Sequence, residues 1–288
     1  MSTTLARISS HVRMTERVFH KLGNFIEQRF GIKMPSIKRI MLESRLQKRL
    51  RTLGLNSFDE YIRYVFCKKK GHEELVNMVN IATTNKTDFF REPKHFEFLA
   101  GTALPGIQDL YGSGLRRPFR IWSAGCSTGE EPYTIAMVLS EHARKVQGFK
   151  FRILATDLST EVLEHGRNAI YGESLLEPVS HELRRKYVLK SRDRDRRLVR
   201  MSPGLRGSVT FRHLNFMDAD YGINEKMDII FCRNVIIYFE NQTKQTIIRR
   251  LMEHLIPGGY IFLGHSESLI GLDVPMETVS HTVYRKPL

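Results

Sequence analysis

The chain has 288 residues, enough for one large or two ordinary domains, and its 41% apolar and 26% charged residues are typical of a globular protein. Its apolar runs are too short to cross a bilayer, its amino terminus lacks the apolar part of a secretory signal, and its three scattered cysteines lack disulfide or metal-ligand spacing, so we expect a cytoplasmic protein. The net charge of +14 is concentrated in residues 1–90 (+9) and 181–213 (+8), which predicts an acidic partner: nucleic acid, an anionic membrane or an acidic protein.

The amino-terminal region is predicted to form a small all-helical domain over residues 1–90. Thr15 is a candidate cap for a first helix that Gly31 ends, because a hydroxyl accepts from free amides and glycine tolerates a left-handed backbone. In the second helix, an apolar stripe of leucines runs beside a basic stripe made of Lys38, Arg45 and Arg49. The predicted helices cover residues 15–30, 35–53, 57–68 and 73–81.

From residue 91 to residue 288, strand and helix patterns alternate. This alternation is typical of an α/β protein with a doubly wound, mostly parallel sheet. The predicted strands are 119–123, 149–156, 208–214, 227–232 and 259–264, with a candidate antiparallel edge strand at 281–285. The predicted helices are 130–146, 160–168 and 242–255.

The connection from Asp157 to Ser208 is too long for a single crossover helix. It contains two apolar segments, 186–190 and 197–201, around a polar turn, which predicts a hairpin. We therefore expect a small, basic, antiparallel β-insert at about 175–207 that interrupts the sheet domain.

The most informative stretch leads from an apolar strand through Gly125-x-x-x-Gly129 into a helix that opens with Glu130 and Glu131. A glycine turn between a strand and a helix predicts a small-molecule site. Two carboxylates at the helix start would repel a pyrophosphate, so a positively charged nucleoside without phosphate fits better. S-adenosylmethionine, which carries a sulfonium and an α-amino group, is the candidate cofactor.

Asp157 ends the second predicted strand, at the same sheet edge as the glycine turn. A carboxylate there suits the two ribose hydroxyls of a nucleoside, and the alternative is a surface aspartate that caps the next helix. Glu130 suits the amino group of the ligand. The alternative is that Glu130 stabilises the helix dipole, and both roles can hold at once.

Arg91 and its polar neighbours Asn85 and Thr87 lie just before the sheet domain. An arginine binds a carboxylate through two parallel hydrogen bonds, so the α-carboxylate of the ligand would suit Arg91. A lone arginine is, however, more often a solvated surface charge.

Further candidates follow the third and fourth strands, where residues commonly complete a ligand-binding site at the edge of a sheet. Phe216 is placed to cover an adenine ring, with core packing as an equal alternative. Tyr238 is placed to point its hydroxyl into the cleft, although half-burial is the commoner explanation for a tyrosine there. The candidates after the two strands are Asn215, Phe216, Arg233 and Asn234.

The sequence shows no spacing typical of a metal site among its eleven histidines, so no metal is expected. It also lacks the G-x-S-x-G elbow of serine hydrolases, so the sequence does not indicate a Ser-His-Asp triad. Cys126, inside the glycine turn, is expected to pack against the ligand or the core.

Five stretches form a specific set: Thr84-Asn-Lys-Thr-Asp-Phe-Phe-Arg-Glu92, Trp122-Ser-Ala-Gly-Cys-Ser-Thr-Gly-Glu-Glu-Pro-Tyr133, Ala155-Thr-Asp-Leu-Ser159, Phe231-Cys-Arg-Asn-Val-Ile-Ile-Tyr-Phe239 and Pro257-Gly-Gly-Tyr260. Together they closely resemble the bacterial chemotaxis receptor methyltransferase family, CheR, over nearly the whole chain. The resemblance implies a Rossmann-like methyltransferase fold and transfer of a methyl group from S-adenosylmethionine to glutamate side chains of chemoreceptor cytoplasmic domains.

The resemblance also implies a role for each candidate residue. It implies that Arg91, with Asn85 and Thr87, meets the methionine end of the cofactor, that Glu130 takes the amino group, and that Asp157 takes the ribose. It places Asn215, Phe216, Arg233 and Asn234 around the adenosine. Arg91 and Tyr238 then become candidates for orienting the reacting groups.

The two basic regions gain receptor-binding roles from the resemblance. Lys38, Arg45 and Arg49 are expected to dock on the acidic helices of the receptor, unless they form an ordinary solvated face. The β-insert, with Arg197, resembles a module that binds a carboxy-terminal receptor peptide as an added strand.

Two alternatives to this function remain at the level of sequence. High basicity would suit an RNA or DNA methyltransferase, although the base-amine and Pro-Cys motifs of such enzymes are absent. A non-catalytic basic adaptor is the other alternative, and the intact Glu130 and Asp157 disfavour it. We expect a monomer that is recruited to membrane-bound receptors without inserting into the membrane or binding nucleic acid.

Overall fold

The computed structural model describes residues 12–67, 72–83, 85–193 and 195–288. The chain divides into two compact units, residues 1–84 and 85–288. The division falls earlier than the predicted boundary at residue 90, because residues 85–90 are hydrogen-bonded to the second unit. The Ser127 hydroxyl donates to the Asn85 carbonyl at 2.8 Å, and the Phe90 amide donates to Thr134 Oγ1 at 3.2 Å.

The first unit is helical, as predicted. Its helices are α1 (Glu16–Phe30), α2 (Arg39–Leu53), α3 (Phe58–Val65) and α4 (His72–Ala82). Thr15 caps α1 by accepting from the Val18 amide, and Gly31 ends it in a left-handed conformation. Leu42, Leu46 and Leu50 form the buried stripe of α2. The predicted end of the third helix at Lys68 lies outside the described residues.

The second unit is built on a seven-stranded sheet. From one edge to the other, its strands are β6 (Val209–His213), β2 (Phe151–Asp157), β1 (Phe119–Ala124), β7 (Met227–Cys232), β8 (Leu255–Leu263), β10 (Val283–Arg285) and β9 (Glu277–Ser280). Strands β6, β2, β1, β7 and β8 are mutually parallel, and β10 and β9 continue the sheet in antiparallel fashion, as the edge-strand prediction required.

Helices cover both faces of this sheet. Alternate residues of a strand point to opposite faces, so neighbouring apolar residues of one strand pack against helices on different sides. On one face, Ile121 of β1 shares an apolar cluster with Leu139 of α7 (Glu130–Lys145). On the other, Trp122 shares a cluster with Leu251 of α11 (Asn241–Glu253). The predicted doubly wound α/β fold is confirmed, and it brings the carboxyl ends of β1, β2, β6 and β7 to one edge.

The predicted β-insert is present, but its sheet is larger and begins earlier than residue 175. The hairpin of β4 (Val188–Lys190) and β5 (Leu198–Met201) is joined by β3 (Ile170–Gly172), which pairs with β5. Three residues are too few to show an alternating pattern, so β3 could not be distinguished in the sequence. Helix α8 (Thr160–Asn168) precedes it, and α9 (His181–Tyr187) and α10 (Pro203–Ser208) flank the hairpin.

Two further segments differ from the prediction. A helical stretch over α5 (Lys94–Phe98), a π-helical turn and α6 (Leu104–Tyr111) precedes β1, and its glycines and proline obscured the helical pattern. Strand β8 begins at Leu255, before the predicted start at residue 259, and includes Pro257-Gly-Gly as a bulge in its pairing with β7. Among the described residues, no helix has the length and apolar character needed to span a membrane.

Candidate active site

The turn between β1 and α7 has a backbone that only small residues accommodate. Gly125 and Gly129 have φ values of 90° and 102°, in the left-handed region. A Cβ at Gly125 would lie 2.3 Å from Cγ2 of Val235, so its absence lets the chain after β7 approach the turn. The Gly125 and Cys126 amides donate to the Thr156 carbonyl at 2.8 and 2.9 Å, which ties the turn to the end of β2.

Glu130, the first residue of α7, is only 4% exposed. Its carboxylate accepts from Thr128 Oγ1 at 2.7 Å, and it has no ion pair among the described residues. Burial raises the pKa of Glu130, which means that the site penalises its charged form. A cation bound at the helix start would relieve that penalty, and this is the position predicted for the amino group of a ligand.

The adjacent carboxylate, Glu131, has a different environment. It accepts from the Ser123 hydroxyl at 2.7 Å and from Nη1 of Arg233 at 3.1 Å. The two acidic residues at the helix start are therefore not equivalent. Glu131 is paired with Arg233 inside the protein, whereas Glu130 is a buried carboxylate without an ion pair among the described residues.

Asp157 lies at the end of β2, beside the glycine turn. Its two carboxylate oxygens accept from the Ser127 and Ser159 amides, each at 2.9 Å. Burial raises the pKa of Asp157, and these amide bonds act in the opposite direction. Ser159, not Asp157, supplies the side-chain cap of α8. Since a carboxylate oxygen has two acceptor sites, Asp157 retains capacity for hydroxyl groups of a ligand.

The segment that contains Asn85, Thr87 and Arg91 lies against the same turn. The Asn85 carbonyl receives the Ser127 hydroxyl, as described above. Arg91 is half-buried, and its Nη1 donates to the Lys86 carbonyl at 3.0 Å. The bonds of Asn85 to Ser127 and of Phe90 to Thr134 place this segment beside the start of α7, the helix that begins with Glu130.

Asn215 and Phe216 follow β6 on the other side of Asp157, because the Leu214 amide donates to the Asp157 carbonyl at 3.0 Å. Asn215 Oδ1 accepts from the Met217 amide at 3.0 Å. The Phe216 ring packs edge-to-face on Tyr221 and Phe239, as expected for the core-packing alternative.

Arg233 and Asn234 follow β7. The Arg233 side chain is 3% exposed, and its guanidinium pairs with Glu92 at 3.0 Å and Glu131 at 3.1 Å. It is therefore engaged within the protein, although the sequence suggested a role in contacting the adenosine. Asn234 adopts a left-handed backbone with φ of 58°, and its amide donates to Oε2 of Glu267 at 2.7 Å.

Tyr238 ends a short 3₁₀ turn, Ile236–Tyr238, and is half-buried. The turn is held by Glu267, whose Oε1 accepts from the Ile237 amide at 3.2 Å and whose Oε2 accepts from the Gly264 amide at 2.6 Å. Glu267 was not predicted. Its only sequence signal is an acidic residue that follows the apolar strand β8.

Glu92, His95 and His265 offer possible metal-ligating atoms within 4.8 Å of one another. No sequence spacing indicated this group, because His265 is distant from the other two in the chain. The guanidinium of Arg233 already neutralises Glu92 and would repel a divalent cation bound there. Burial, first, and then Arg233 lower the pKa of His95 to about 4, so its imidazole is neutral at physiological pH.

The predicted receptor-binding cations have different environments. Arg45 is exposed, and its Nη1 donates to the Ile81 and Thr83 carbonyls. Lys38 Nζ donates to the Lys33 carbonyl.

Arg49 instead pairs with Glu74, which is 3% exposed and also accepts from the Tyr61 hydroxyl. In the insert, Arg197 is exposed, with φ of 45°.

Known proteins place the chain in a family. Residues 85–285 match the CheR methyltransferase SAM binding domain, and residues 17–81 match the CheR methyltransferase all-alpha domain. The chemotaxis protein methyltransferase of Borreliella burgdorferi is 36% identical over 287 residues, which cover 99% of this chain and 100% of the relative. That of Escherichia coli is 35% identical over 283 residues, which cover 98% of this chain and 95% of the relative.

A solved rRNA methylase from Streptococcus thermophilus aligns with 68% of this chain and 95% of its own, at 11% identity and a TM-score of 0.36, a likeness too distant to bear on function. The family matches, by contrast, cover both structural units and confirm the resemblance on which the sequence expectations depended. This chain therefore belongs to the CheR family of S-adenosylmethionine-dependent methyltransferases.

Proposed function

We propose that this enzyme transfers the methyl group of S-adenosylmethionine to glutamate side chains in chemoreceptor cytoplasmic domains and so forms glutamate methyl esters. Family membership and the relatives, which are chemotaxis protein methyltransferases, support the substrate class. The observation that carries the cofactor assignment is the buried carboxylate of Glu130, beside a Glu131 that is already paired. Such a site favours a cationic ligand and disfavours a phosphate.

The residues at the sheet edge can hold three parts of this cofactor. Glu130 takes the α-amino group, Asp157 takes the ribose hydroxyls, and Arg91 takes the α-carboxylate through its guanidinium. Asn85 and Thr87 complete the methionine end. The adenosine lies near the residues that follow β6 and β7, of which Arg233 contributes through its backbone, since its guanidinium is paired elsewhere. These residues are Asn215, Phe216, Arg233 and Asn234.

The acceptor needs little activation from the protein. The ordinary pKa of a glutamate lies well below neutral pH, so its side chain is already a carboxylate nucleophile and requires no general base. The bound cofactor supplies a methyl group on a sulfonium. Arg91 and Tyr238 orient the reacting groups, and alignment together with exclusion of water supplies most of the acceleration.

Receptor binding is assigned to the two basic regions. Lys38 and Arg45 dock on the acidic receptor helices, whereas Arg49 supports this surface from within through its pair with Glu74. The insert, with Arg197, binds the carboxy-terminal receptor peptide along an edge strand of its three-stranded sheet. The enzyme acts as a cytoplasmic monomer that is recruited to membrane-bound receptors and does not bind nucleic acid.

A labelling experiment tests the proposal. The protein is incubated with S-adenosylmethionine labelled in the methyl group and with either a receptor cytoplasmic fragment or RNA. We expect label on the receptor that alkali releases as methanol, which is diagnostic of a carboxyl ester, and its loss in Glu130→Gln. Label on RNA would support a nucleic-acid methyltransferase instead, and no label on either would support a non-catalytic adaptor.

A further inference from the structure

A buried charge cluster lies beside the proposed cofactor site and consists of Glu92, Glu131 and Arg233; we call it the Arg233 cluster. Arg233 donates to Glu92 Oε2 from Nε at 3.2 Å and from Nη2 at 3.0 Å, and to Glu131 Oε2 from Nη1 at 3.1 Å. The side chains of the two carboxylates are 10% and 12% exposed. All three donor nitrogens of the guanidinium are therefore occupied by these partners.

The Arg233 cluster is also hydrogen-bonded to the main chain of neighbouring residues. Nη2 of Arg233 donates to the Arg91 carbonyl, and Glu92 Oε1 accepts from the His265 amide at 3.1 Å. Three parts of the second unit thus meet at the residue assigned to the cofactor carboxylate: the start of α7, the end of β7 and the loop after β8. The amide before Arg91, that of Phe90, is held by Thr134 of α7.

The backbone around Arg91 is strained on both sides. Phe90 and Glu92 have φ values of 52° and 58°, in a region that large side chains rarely adopt. Such a conformation is unfavourable and persists only where its surroundings hold it. Hydrogen bonds to Thr134, Arg233 and His265 are among the contacts that hold this segment, and their loss would let it relax.

We propose that Glu92 and Glu131 are positioning residues that act through Arg233 on Arg91. The two carboxylates fix the guanidinium of Arg233, which fixes the Arg91 carbonyl and so directs the Arg91 side chain toward the cofactor carboxylate. This inference rests on the proposed function, because it gives Arg91 its cofactor role. Neither carboxylate touches the cofactor in this account.

A double-mutant cycle tests whether Glu92 acts through Arg91. The variants are Glu92→Gln, Arg91→Ala and the combination, and the measurements are the dissociation constant for S-adenosylhomocysteine and the kcat and KM for S-adenosylmethionine. We expect Glu92→Gln to weaken binding about tenfold when Arg91 is present and less than about twofold in the Arg91→Ala background. The loss should appear mainly in KM.

The control is Asp228→Asn, which perturbs another buried ion pair at the opposite end of β7. It should lower the thermal midpoint and weaken binding by the same small factor in both backgrounds. If Glu92→Gln also weakens binding equally in both backgrounds, its role is merely structural and the inference is overturned. If Glu92→Gln does not fold, Glu131→Gln, which leaves the Glu92 pair intact, is put through the same cycle.

The outcomes separate this inference from the proposed function. An additive cycle in a protein that binds S-adenosylhomocysteine and methylates the receptor overturns only the positioning role. A wild-type protein that fails to bind S-adenosylhomocysteine overturns the proposed function itself. Unchanged binding in Arg91→Ala overturns the positioning role together with the assignment of Arg91, while receptor methylation would still support the enzyme activity.

Discussion

Strand β7 carries a buried charge cluster at each end, and the two are opposite in composition. At its amino end, the carboxylate of Asp228 accepts from the guanidinium of Arg117, the Ser113 hydroxyl and the Arg120 amide. We call this the Asp228 cluster. At its carboxyl end, one buried arginine is shared by two carboxylates.

The difference separates a structural role from a functional one. The Asp228 cluster ties the chain before β1 to the sheet, and all its partners are close together at Ser113, Arg117 and Arg120. The Arg233 cluster instead holds a strained segment that contains Arg91, the residue proposed to bind the cofactor carboxylate. In parallel sheets the carboxyl ends of strands carry the ligand site, so we expect changes at the two ends to have separable effects.

The largest expected effect is on stability at the amino end of β7. Asp228→Ala leaves Arg117, the Ser113 hydroxyl and the Arg120 amide without their shared acceptor, and we expect the free energy of unfolding to fall by about 2–4 kcal/mol. Urea denaturation measures this change. Affinity of the folded protein for S-adenosylhomocysteine should stay within about twofold of wild type. A loss of affinity as large as that of Glu92→Gln would remove the distinction between the two ends.

Glu130→Gln should show the opposite combination of effects. It removes a charge that burial penalises, so the free energy of unfolding should stay the same or rise. It also removes the proposed partner of the ligand amino group, and affinity for S-adenosylhomocysteine should fall about 10- to 100-fold. Calorimetric titration and denaturation of the same samples provide both numbers. Unchanged affinity would contradict the assignment of Glu130.

The sheet could be predicted from sequence because its signals are local. Strand β7 is buried along its whole length, and its last four residues, 229–232, form an apolar run in the sequence. The turn after β1 requires the left-handed backbone that glycine supplies. Strand β3 was missed because a segment of three residues is too short to show an alternating pattern. The helical stretch over 94–111 was missed because its glycines and proline obscure the helical pattern.

The candidate site could be predicted only in part. Asp157 and Glu130 were located because the end of a strand and the start of a helix have fixed positions in a parallel sheet. The pairing of Arg233 could not be located, since its partners Glu92 and Glu131 lie 141 and 102 positions away in the chain. Nothing local distinguishes a buried, paired arginine from one that faces a ligand, so Arg233 was expected to contact the adenosine.

The pH dependence of stability should separate Glu92 from Glu130. Burial alone would raise the pKa of Glu92, but Arg233 and the His265 amide lower it below its usual 4.5, whereas burial raises the pKa of Glu130 above 4.5. The stability that ionised Glu92 contributes is therefore present above its unfolded pKa and lost as the pH falls. For Glu130 the folded state holds its proton more tightly, so its ionisation reduces stability as the pH rises from 4.5.

We therefore expect two opposite trends in free energies of unfolding relative to wild type. As the pH rises from about 3 to about 7, Glu92→Gln should become more destabilising, and Glu130→Gln should change from destabilising to neutral or stabilising. Urea denaturation at several pH values measures both. Parallel trends for the two variants would show that the charges of Glu92 and Glu130 experience the same environment, contrary to the geometry.

The smallest expected effect concerns the helical unit, where the same distinction applies to Arg49 and Arg45. Arg49 neutralises the buried Glu74 and should matter for folding, whereas Arg45 is exposed and should matter for receptor encounter. Lys38→Ala combined with Arg45→Ala should slow receptor methylation about two- to fivefold at low salt, and the difference should shrink at high salt. Lys21→Ala combined with Arg63→Ala removes the same charge from other helices of this unit and serves as the control. An equal loss in the control would attribute the effect to net charge, because a docking surface requires that the position of the cations, and not only their number, sets the rate.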